Sequence, residues 1–324
     1  MHKALFILQY SEKVGLGHLT RCSVIAACLK RNRHSAILLT KNDSIENEKL
    51  KAFNQVYFYE DKDILKSAKK IISNEGISSI LIDDYSIDDK DYEKLIKHNV
   101  KTFRFEAIPN FEDKSSKLIN YNPDYDSNNG SFHLLGTKYV PIDECFIELN
   151  KKKVNNEIFV FFGGGGDHNA IEKYDEYLTL LSENHEKINI AITSSYKNRK
   201  QIINKYKENK KFSILVDSKK YPSILNNSLF AFVSGGTITY ESAFLRTPMQ
   251  IISVAENQKK QSLAWGKNKN GVYVGSSNNI SSSDLISSYK KYFATKKLIS
   301  AWHMQRKISI DGLGAQRIVN ALVN

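Results

Sequence analysis

The sequence predicts an α/β protein made of two domains of similar construction, and three observations support this prediction. The chain has 324 residues, more than one hydrophobic core usually organises. Apolar stretches with the length of buried strands alternate with stretches of helical periodicity in both halves. A less regular stretch from 106 to 156, which contains Pro109, Pro123 and Pro141, separates the two series. We therefore expect one domain at 1–150 and a second at 151–324.

Strands that alternate with helices and are apolar almost throughout are typical of a parallel sheet covered on both faces, as in a Rossmann-like domain. In the first half, the pattern predicts strands at 4–8, 36–40, 55–59, 79–83 and 102–105 and helices at 20–31, 64–74 and 89–98. In the second half, it predicts strands at 158–162, 188–193, 212–216, 229–234 and 249–254 and helices at 173–184, 197–209, 220–226, 238–245 and 258–269. The last segment, 294–322, is expected to be mostly helical and to pack back on the body of the protein.

Composition and charge argue against several classes of protein. The formal net charge is +12, but the excess lysines are dispersed through polar segments such as 151–153, which favours a solvated basic surface over a nucleic-acid partner. The three cysteines form neither a Cys-x-x-Cys pair nor a Cys/His pattern, so we expect no disulfide framework and no metal site. No apolar run approaches about 18 residues and no secretory signal begins the chain, so we expect a cytoplasmic protein without membrane insertion.

Three glycine-bearing turns lie between a predicted strand and a predicted helix. They are Gly15-Leu16-Gly17-His18, the run Gly163-Gly164-Gly165-Gly166, and Ser234-Gly235-Gly236-Thr237. Such turns place backbone N–H groups at the carboxyl edge of a parallel sheet, where anionic ligands bind. A glycine can also serve only a tight turn, but three such turns favour a ligand site. The chain lacks GxxxxGK[ST] and a complete GxGxxG with its ribose-binding acid, so neither a P-loop nor an NAD cofactor is expected.

Several polar residues follow predicted strands at this edge, and each has a structural alternative to its functional interpretation. His18 could act as a general base near neutral pH, or it could cap the helix or hold a phosphate, and the residues alone leave both open. Asp83-Asp84-Tyr85 could be catalytic or could form a plain turn. Glu241 could bind both hydroxyls of a ribose or could be a solvated helix residue. Asn257 and Gln258 could contact a ligand or could form a polar loop.

Taken together and in this order, these pieces resemble the UDP-sugar hydrolases of pseudaminic acid biosynthesis and their spore-coat polysaccharide relatives. The resemblance covers nearly the whole chain. The motifs that carry it are Gly15-x-Gly17-His18-x-x-Arg21-Cys22, Ile82-Asp83-Asp84-Tyr85, Phe162-Gly163-Gly164 with Asp167 and Asn169, Ser234-Gly235-Gly236-Thr237-x-x-Tyr240-Glu241, Asn257-Gln258 and Asp311-Gly312-x-Gly314-Ala315-x-Arg317.

The resemblance implies a GT-B fold, two Rossmann-like domains with a cleft between them, and removal of UDP from UDP-2,4-diacetamido-2,4,6-trideoxy-β-L-altropyranose by water. The implied catalytic residues are His18, Tyr85 and Asp84. The implied nucleotide and phosphate contacts come from Gly17, Gly164, Gly235, Gly236, Thr237 and Glu241, and the implied substrate contacts from Arg21, Asn257 and Gln258. No cofactor is implied, and the expected partner is the nucleotide-sugar substrate.

Two departures from the family pattern concern the sugar more than the fold. Asp84 stands where some members carry His, and the glycine run 163–166 is longer than usual, which shifts Asp167 by one position. Two alternatives therefore stay open. The chain could be a GT-B glycosyltransferase that uses the same site with a sugar or lipid acceptor, or a non-catalytic sensor of nucleotide sugars. The sequence leaves the oligomeric state open.

Overall fold

The computed structural model describes residues 1–11, 15–41, 47–60, 64–84, 86–87, 89–96, 100–105, 116–126, 132–149, 153–163 and 169–324. The chain forms two compact units, one comprising Met1–Ile142 with Asp311–Asn324 and the other comprising Asp143–Ile310. The sequence-based prediction placed a single boundary near residue 150. Within the part of the chain that is described, no helix is long and apolar enough to cross a membrane.

The first unit contains a parallel sheet whose described strands follow the order β3-β2-β1-β4-β5-β6-β7. The strands are β1 (Lys3–Leu8), β2 (Ser35–Lys41), β3 (Gln55–Tyr59), β4 (Ser79–Asp83), β5 (Lys101–Phe105), β6 (Lys117–Asn120) and β7 (Leu134–Leu135). The helices that connect them are α1 (Gly17–Arg31), α2 (Ile64–Glu75) and α3 (Asp89–Ile96). Successive residues of a strand point to opposite faces, so Leu5 and Ile7 pack with apolar residues of α2 and α3 on one side of the sheet.

The second unit repeats this construction with the strand order β10-β9-β8-β11-β12-β13. Its strands are β8 (Glu157–Phe161), β9 (Lys187–Ile192), β10 (Phe212–Val216), β11 (Phe230–Ser234), β12 (Met249–Ser253) and β13 (Gly271–Ser276). Its helices are α4 (Glu144–Ile147), α5 (Ala170–Lys173), α6 (Asp175–Asn184), α7 (Arg199–Tyr206), α8 (Tyr221–Asn227), α9 (Ile238–Phe244), α10 (Lys259–Lys267), α11 (Ser282–Tyr292) and α12 (Lys296–His303). A buried cluster of aliphatic and aromatic side chains from the central strands, α6 and α11 forms its core.

The last helix, α13 (Gly314–Val323), belongs to the first unit and packs against α1. A Cβ at Gly314 would lie 2.1 Å from the carbonyl oxygen of Val140, so only glycine permits this approach of helix and loop. Arg317 donates to the carbonyl oxygen of Lys138 (2.8 Å) and to both carboxylate oxygens of Asp311 (2.9 and 2.6 Å). The motif from Asp311 to Arg317 therefore has a structural explanation, because it fastens α13 to the first unit.

The structure contains elements that the sequence pattern did not predict. Strands β6 and β7 lie in the stretch that the sequence marked as irregular, and β13 and α11 follow the predicted helix 258–269. Strands of four and two residues are too short to show a period, and β13 carries a glycine at each end of its apolar part. Short length and glycine content therefore concealed these strands.

Burial of a neutral histidine makes the stability of the second unit depend on pH. His185 is buried, its Nδ1 lies 2.8 Å from Asn156 Oδ1, and its Nε2 lies 3.0 Å from the hydroxyl of Tyr289. Burial, assisted by the charge of Lys211, lowers the pKa of His185 to about 4. The unfolded chain therefore binds a proton more readily than the folded one between pH of about 6.5 and 4.

We expect this unit to lose on the order of 3 kcal/mol of unfolding free energy as the pH falls through that window, because the folded state resists protonation of His185. Both tryptophans, Trp265 and Trp302, lie in this unit, so urea unfolding followed by tryptophan fluorescence reports on it. In His185→Asn, the unfolding free energy should depend less on pH. In His34→Asn, which changes the other unit, the pH dependence should stay as in the wild type. An equally steep dependence in His185→Asn would contradict the prediction.

Candidate functional site

The strand order of each sheet locates the place where a ligand is expected. In the first unit the chain leaves β1 toward β2 and leaves β4 toward β5, in the opposite direction across the sheet. In the second unit β8 and β11 are neighbours in the same relation. Open parallel sheets bind ligands at the carboxyl ends of such neighbouring strands. The turn Gly15–His18 follows β1 and the turn Ser234–Thr237 follows β11, so these two lie at the switch points. Gly163 follows β8, and the rest of that glycine run lies outside the described residues.

His18 and Asp83 meet at the switch point of the first unit. His18 is the second residue of α1, and Asp83 is the last residue of β4. The Nδ1 atom of His18 lies 2.7 Å from Asp83 Oδ1 and 2.9 Å from the Asp83 carbonyl oxygen. Both oxygens can only accept from this nitrogen while the carboxyl is ionised, so Nδ1 carries the proton and the lone pair of neutral His18 lies on Nε2. This tautomer suits a general base that acts through Nε2.

Arg21 lies one helical turn after His18 and binds the same carboxylate. Its Nε donates to Asp83 Oδ2 at 2.5 Å, and its Nη2 donates to Asp83 Oδ1. Its Nη1 donates to the hydroxyl of Tyr121 at 3.2 Å, and its guanidinium lies 4.3 Å from the centre of the Phe105 ring. The sequence predicted a substrate contact for Arg21, and the structure shows that its guanidinium contacts Asp83, Tyr121 and Phe105.

Asp83 carries its charge without exposure to solvent. Burial by itself raises the pKa of Asp83, but the charge of Arg21 and the hydrogen bonds from Arg21 and His18 outweigh burial and hold the pKa well below its usual range. Burial, followed by the negative charge of Asp83, raises the pKa of the neighbouring Cys22 thiol, which stays protonated and can donate to Asp83 Oδ2 at 3.5 Å. His18, Arg21 and Cys22 thus surround one ionised carboxylate.

Of the stretch Asp83-Asp84-Tyr85, the sequence-based prediction assigned catalysis to Asp84 and Tyr85, whereas the carboxylate that contacts His18 and Arg21 is that of Asp83. Asp84 Oδ1 accepts hydrogen bonds from the backbone N–H of Ser86 (2.9 Å) and its hydroxyl (2.6 Å), which is the geometry of a turn-forming aspartate. The signal that identifies Asp83 was present, because it ends an apolar strand next to the strand that leads to His18. Which of two consecutive carboxylates faces α1 depends on the alternation of the strand relative to its neighbours.

At the switch point of the second unit, the turn after β11 packs tightly against α10. A Cβ at Gly235 would lie 2.1 Å from the hydroxyl of Ser262, whereas a Cβ at Gly236 would have no atom closer than Ser234 Oγ at 3.7 Å. The two glycines therefore differ in the space that a side chain would have. Gly235 is required for close packing, and Gly236 has room on its side-chain face.

Gln261 holds this turn in place and was not predicted from the sequence. Its amide nitrogen donates to the carbonyl oxygens of Gly235 (2.9 Å) and Gly236 (3.1 Å), and its amide oxygen accepts from the hydroxyl of Tyr240 (2.9 Å). With those carbonyl groups occupied by the side-chain amide, the orientation of the turn's peptide groups is fixed. A glutamine inside a predicted helix carries no sequence signal for such a role.

Two further predicted contacts lie near the same turn. The carboxylate of Glu241 on α9 lies 3.4 and 3.5 Å from the hydroxyl of Tyr221, and burial and the charge of Glu241 raise the pKa of that tyrosine. Gln258 uses its Oε1 to accept from the N–H of Val254 at 3.0 Å, while Asn257 is exposed. The structure therefore places Gln258 against Gly235, while Glu241 lies on α9, the helix that follows the turn, and contacts Tyr221.

Four predicted site residues remain to be placed. Tyr85 and Gly164 lie outside the described residues. Gly17 begins α1, and Thr237 precedes the first residue of α9. No group of three or more His, Cys, Asp or Glu side chains that could hold a metal ion occurs among the residues with described positions.

No family model matches this chain. An uncharacterized protein of Methanocaldococcus jannaschii is 24% identical over 283 residues, which cover 80% of this chain and 57% of that protein. A Helicobacter pylori protein named pseudaminic acid cytidylyltransferase and UDP-2,4-diacetamido-2,4,6-trideoxy-beta-L-altropyranose hydrolase is 23% identical over 263 residues, which cover 76% of this chain and 44% of that protein. This chain thus spans about half the length of the curated relatives that it matches.

Solved structures resemble the chain over almost its whole length. The UDP-GlcNAc 2-epimerase from Neisseria meningitidis bound to UDP-GlcNAc has a TM-score of 0.64 at 11% identity, and the alignment covers 99% of both chains. MurG from Acinetobacter baumannii has a TM-score of 0.62 at 13% identity, again over 99% of both chains. At these identities the likeness concerns the fold alone. It confirms the predicted fold class, an α/β protein of GT-B type with two Rossmann-like units.

Proposed function

We propose that the chain is a nucleotide-sugar hydrolase that releases UDP from a UDP-2,4-diacetamido-2,4,6-trideoxyhexose of the β-L-altropyranose type. The observation that carries the proposal is the His18–Asp83 pair at the switch point of the first unit, in which Asp83 engages Nδ1 and leaves Nε2 to act as the base. Two comparisons support the substrate class. The Helicobacter pylori relative is named in part as the hydrolase of this sugar nucleotide, and the Neisseria epimerase of the same fold was solved with UDP-GlcNAc.

In the proposed reaction, His18 activates a water molecule that attacks the anomeric carbon of the sugar. The Nε2 atom takes one proton from the water, a bond forms between the water oxygen and the anomeric carbon, and the bond from that carbon to the β-phosphate oxygen breaks. UDP leaves with the electron pair of that bond, and the proton passes from His18 to solvent. Asp83 keeps the ring in the required tautomer and orientation, the role of the third member of a catalytic triad.

We assign nucleotide binding to the second unit. In the turn of Gly235, Gly236 and Thr237, the N–H of Gly235 donates to the carbonyl oxygen of Ile252 at 2.9 Å, so we assign the diphosphate to the N–H groups of Gly236 and Thr237. Glu241 offers a carboxylate to the ribose hydroxyls. The carbonyl groups of the turn are bound by Gln261, which fixes the peptide planes before any ligand arrives. Preorganised donors of this kind balance the charge that develops on a leaving diphosphate.

The reaction is tested with a panel of UDP-, GDP- and CDP-sugars in water enriched in ¹⁸O, with nucleotide release followed by phosphorus NMR. We expect UDP to be released and the heavy oxygen to enter the free sugar at the anomeric carbon. If UDP is released only after a sugar or lipid acceptor is added, the chain is a glycosyltransferase. If the sugar nucleotide is converted to an epimer, the hydrolase proposal is also wrong.

His18→Asn should lower kcat by about 10²–10⁴-fold while the affinity for UDP stays close to that of the wild type, because a general base acts on the attacking water. Steady-state kinetics and calorimetric titration with UDP measure the two quantities. His34→Asn is the matched control. His34 immediately precedes β2 and therefore lies at the amino-terminal ends of the strands, whereas His18 lies at their carboxyl ends. A His18→Asn enzyme that turns over normally at saturating substrate would remove His18 from the mechanism.

Glu241→Ala should weaken UDP binding by about 1–3 kcal/mol, because the ribose hydroxyls lose their acceptor. The same substitution should abolish any preference for UDP over 2′,3′-dideoxy-UDP, which a general loss of structure would not do selectively. Glu256→Ala, at an exposed position of the same unit, is the control. Unchanged calorimetric affinity of Glu241→Ala for UDP would show that the ribose assignment is wrong.

Alanine substitutions at the two adjacent glycines should have opposite signatures. Gly235→Ala should lower the melting temperature of the second unit, because its Cβ would overlap Ser262. Gly236→Ala should leave the melting temperature nearly unchanged but weaken UDP binding, because the added methyl group would occupy the space that we assign to the diphosphate. Normal UDP affinity in Gly236→Ala would place the diphosphate elsewhere.

A further inference from the structure

We propose that Arg21 is a positioning residue that neutralises the buried Asp83 carboxylate and thereby sets the pH range in which His18 can accept a proton. This inference rests on the proposed function of His18 as a base. It differs from the role that the sequence suggested for Arg21, which was a contact to substrate. Arg21 acts here through Asp83 and needs no contact with the sugar or the nucleotide.

The geometry of Arg21 is that of a fixed counter-ion. Two of its nitrogens, Nε and Nη2, bind the two carboxylate oxygens of Asp83 in a bidentate pair. The Tyr121 hydroxyl accepts from the third nitrogen, and the Phe105 ring covers the guanidinium face. The side chains of Arg21 and Asp83 are 16% and 0% exposed, so water screens their attraction little.

The charges of this cluster explain the consequence for His18. The charges of Asp83 and Arg21 cancel, so the cluster of His18, Asp83 and Arg21 is neutral while His18 is neutral and carries a full positive charge when His18 is protonated. An aspartate without its arginine would instead form an ion pair with protonated His18 and would favour that form. Arg21 therefore lets Asp83 orient the ring without converting it to the imidazolium, which could not act as a base.

Among the described residues, the remaining side chains in contact with this pair are uncharged. Cys22 on α1 faces Asp83 as a protonated thiol, since burial and Asp83 raise the pKa of Cys22. Tyr121, which follows β6, contributes a hydroxyl group, and Phe105 on β5 contributes an aromatic face. Asp84, which follows β4, adds a second carboxylate, whose Oδ1 accepts from the backbone N–H and the hydroxyl of Ser86. The one cation in direct contact with Asp83 among these groups is Arg21.

The test measures the protonation of His18 directly in the substrate-free protein. Proton–carbon NMR of the imidazole Cε1–H group gives the titration midpoint of each of the eight histidines, and the spectrum of His18→Asn identifies the resonance of His18. Arg21→Met should move this midpoint upward by about one pH unit or more, because Asp83 loses its counter-ion. Asp83→Asn should move it downward, because the charge of Arg21 is then unopposed.

The double variant Arg21→Met with Asp83→Asn removes both charges and should return the His18 midpoint close to that of the wild type. The wild type, the two single variants and the double variant form a double-mutant cycle. Arg21→Lys, which keeps the charge but loses the bidentate geometry, should shift the midpoint less than Arg21→Met and serves if the latter folds poorly. In catalysis, the acidic limb of kcat/KM should move with the NMR midpoint. Equal midpoints in Arg21→Met and the wild type would overturn the inference.

This design separates the inference from the proposed function. If His18→Asn keeps full turnover, the proposed role of His18 fails, yet the NMR cycle still reports whether Arg21 controls its protonation. If the NMR cycle shows no coupling while His18→Asn is inactive, the proposed function stands and the role of Arg21 is wrong. A role of Arg21 in stability alone would change the melting temperature without moving the midpoint.

Discussion

Asp83 holds a negative charge at a position without solvent exposure, and the arrangement of the first unit's site depends on satisfying that charge. Removing water from a carboxylate costs several kcal/mol, so its partners must be close and well aligned. Arg21 and His18 meet this need from one helix, since residues three apart share a face of α1. Their partner arrives about sixty residues later on β4, and it reaches them because β4 is the strand next to β1. The strand order is thus a condition for the site.

The second unit has the same construction, but its glycine-bearing turn after β11 is held in place without a buried charge. Its turn after β11 contains no charged side chain, and its shape comes from close packing at Gly235 and from the amide of Gln261. Side-chain amides can hold peptide groups in place without introducing a charge that would compete with a bound anion. A turn of this kind is suited to a diphosphate, whereas the ionised cluster of the first unit is suited to proton transfer.

Some motifs that carry the family resemblance have a structural explanation in this chain. The Asp311–Arg317 pair fastens the last helix to the loop at Lys138, and Asp84 closes a turn through Ser86. Both combine polar residues in a pattern that also suggests catalysis. A motif shared by a family can therefore report a requirement of the fold, and contacts separate the two cases. Arg21 combines both roles, because it stabilises the buried charge of Asp83 and, in our proposal, controls the protonation of His18.

The sequence by itself determined the α/β class, the alternation of strands and helices, and the positions of the glycine-bearing turns after β1 and β11. Ten strands of the two sheets, including 55–59 and 79–83, follow directly from apolar runs bounded by turn residues. His18 and the Ser234–Thr237 turn were identified in the same way, because glycine after a buried strand has a local cause. The GT-B fold was reached through the resemblance, and the fold comparisons confirm it.

Only the tertiary structure decided which polar residues meet. The choice of Asp83 over Asp84 depends on which face of β4 lies toward α1, and a shift of one residue in register would exchange them. The direction of the Arg21 guanidinium and the contact of Gln261 with the turn depend on neighbours far away in the chain. These contacts join elements by long-range packing, and local propensity and periodicity contain no information about that packing.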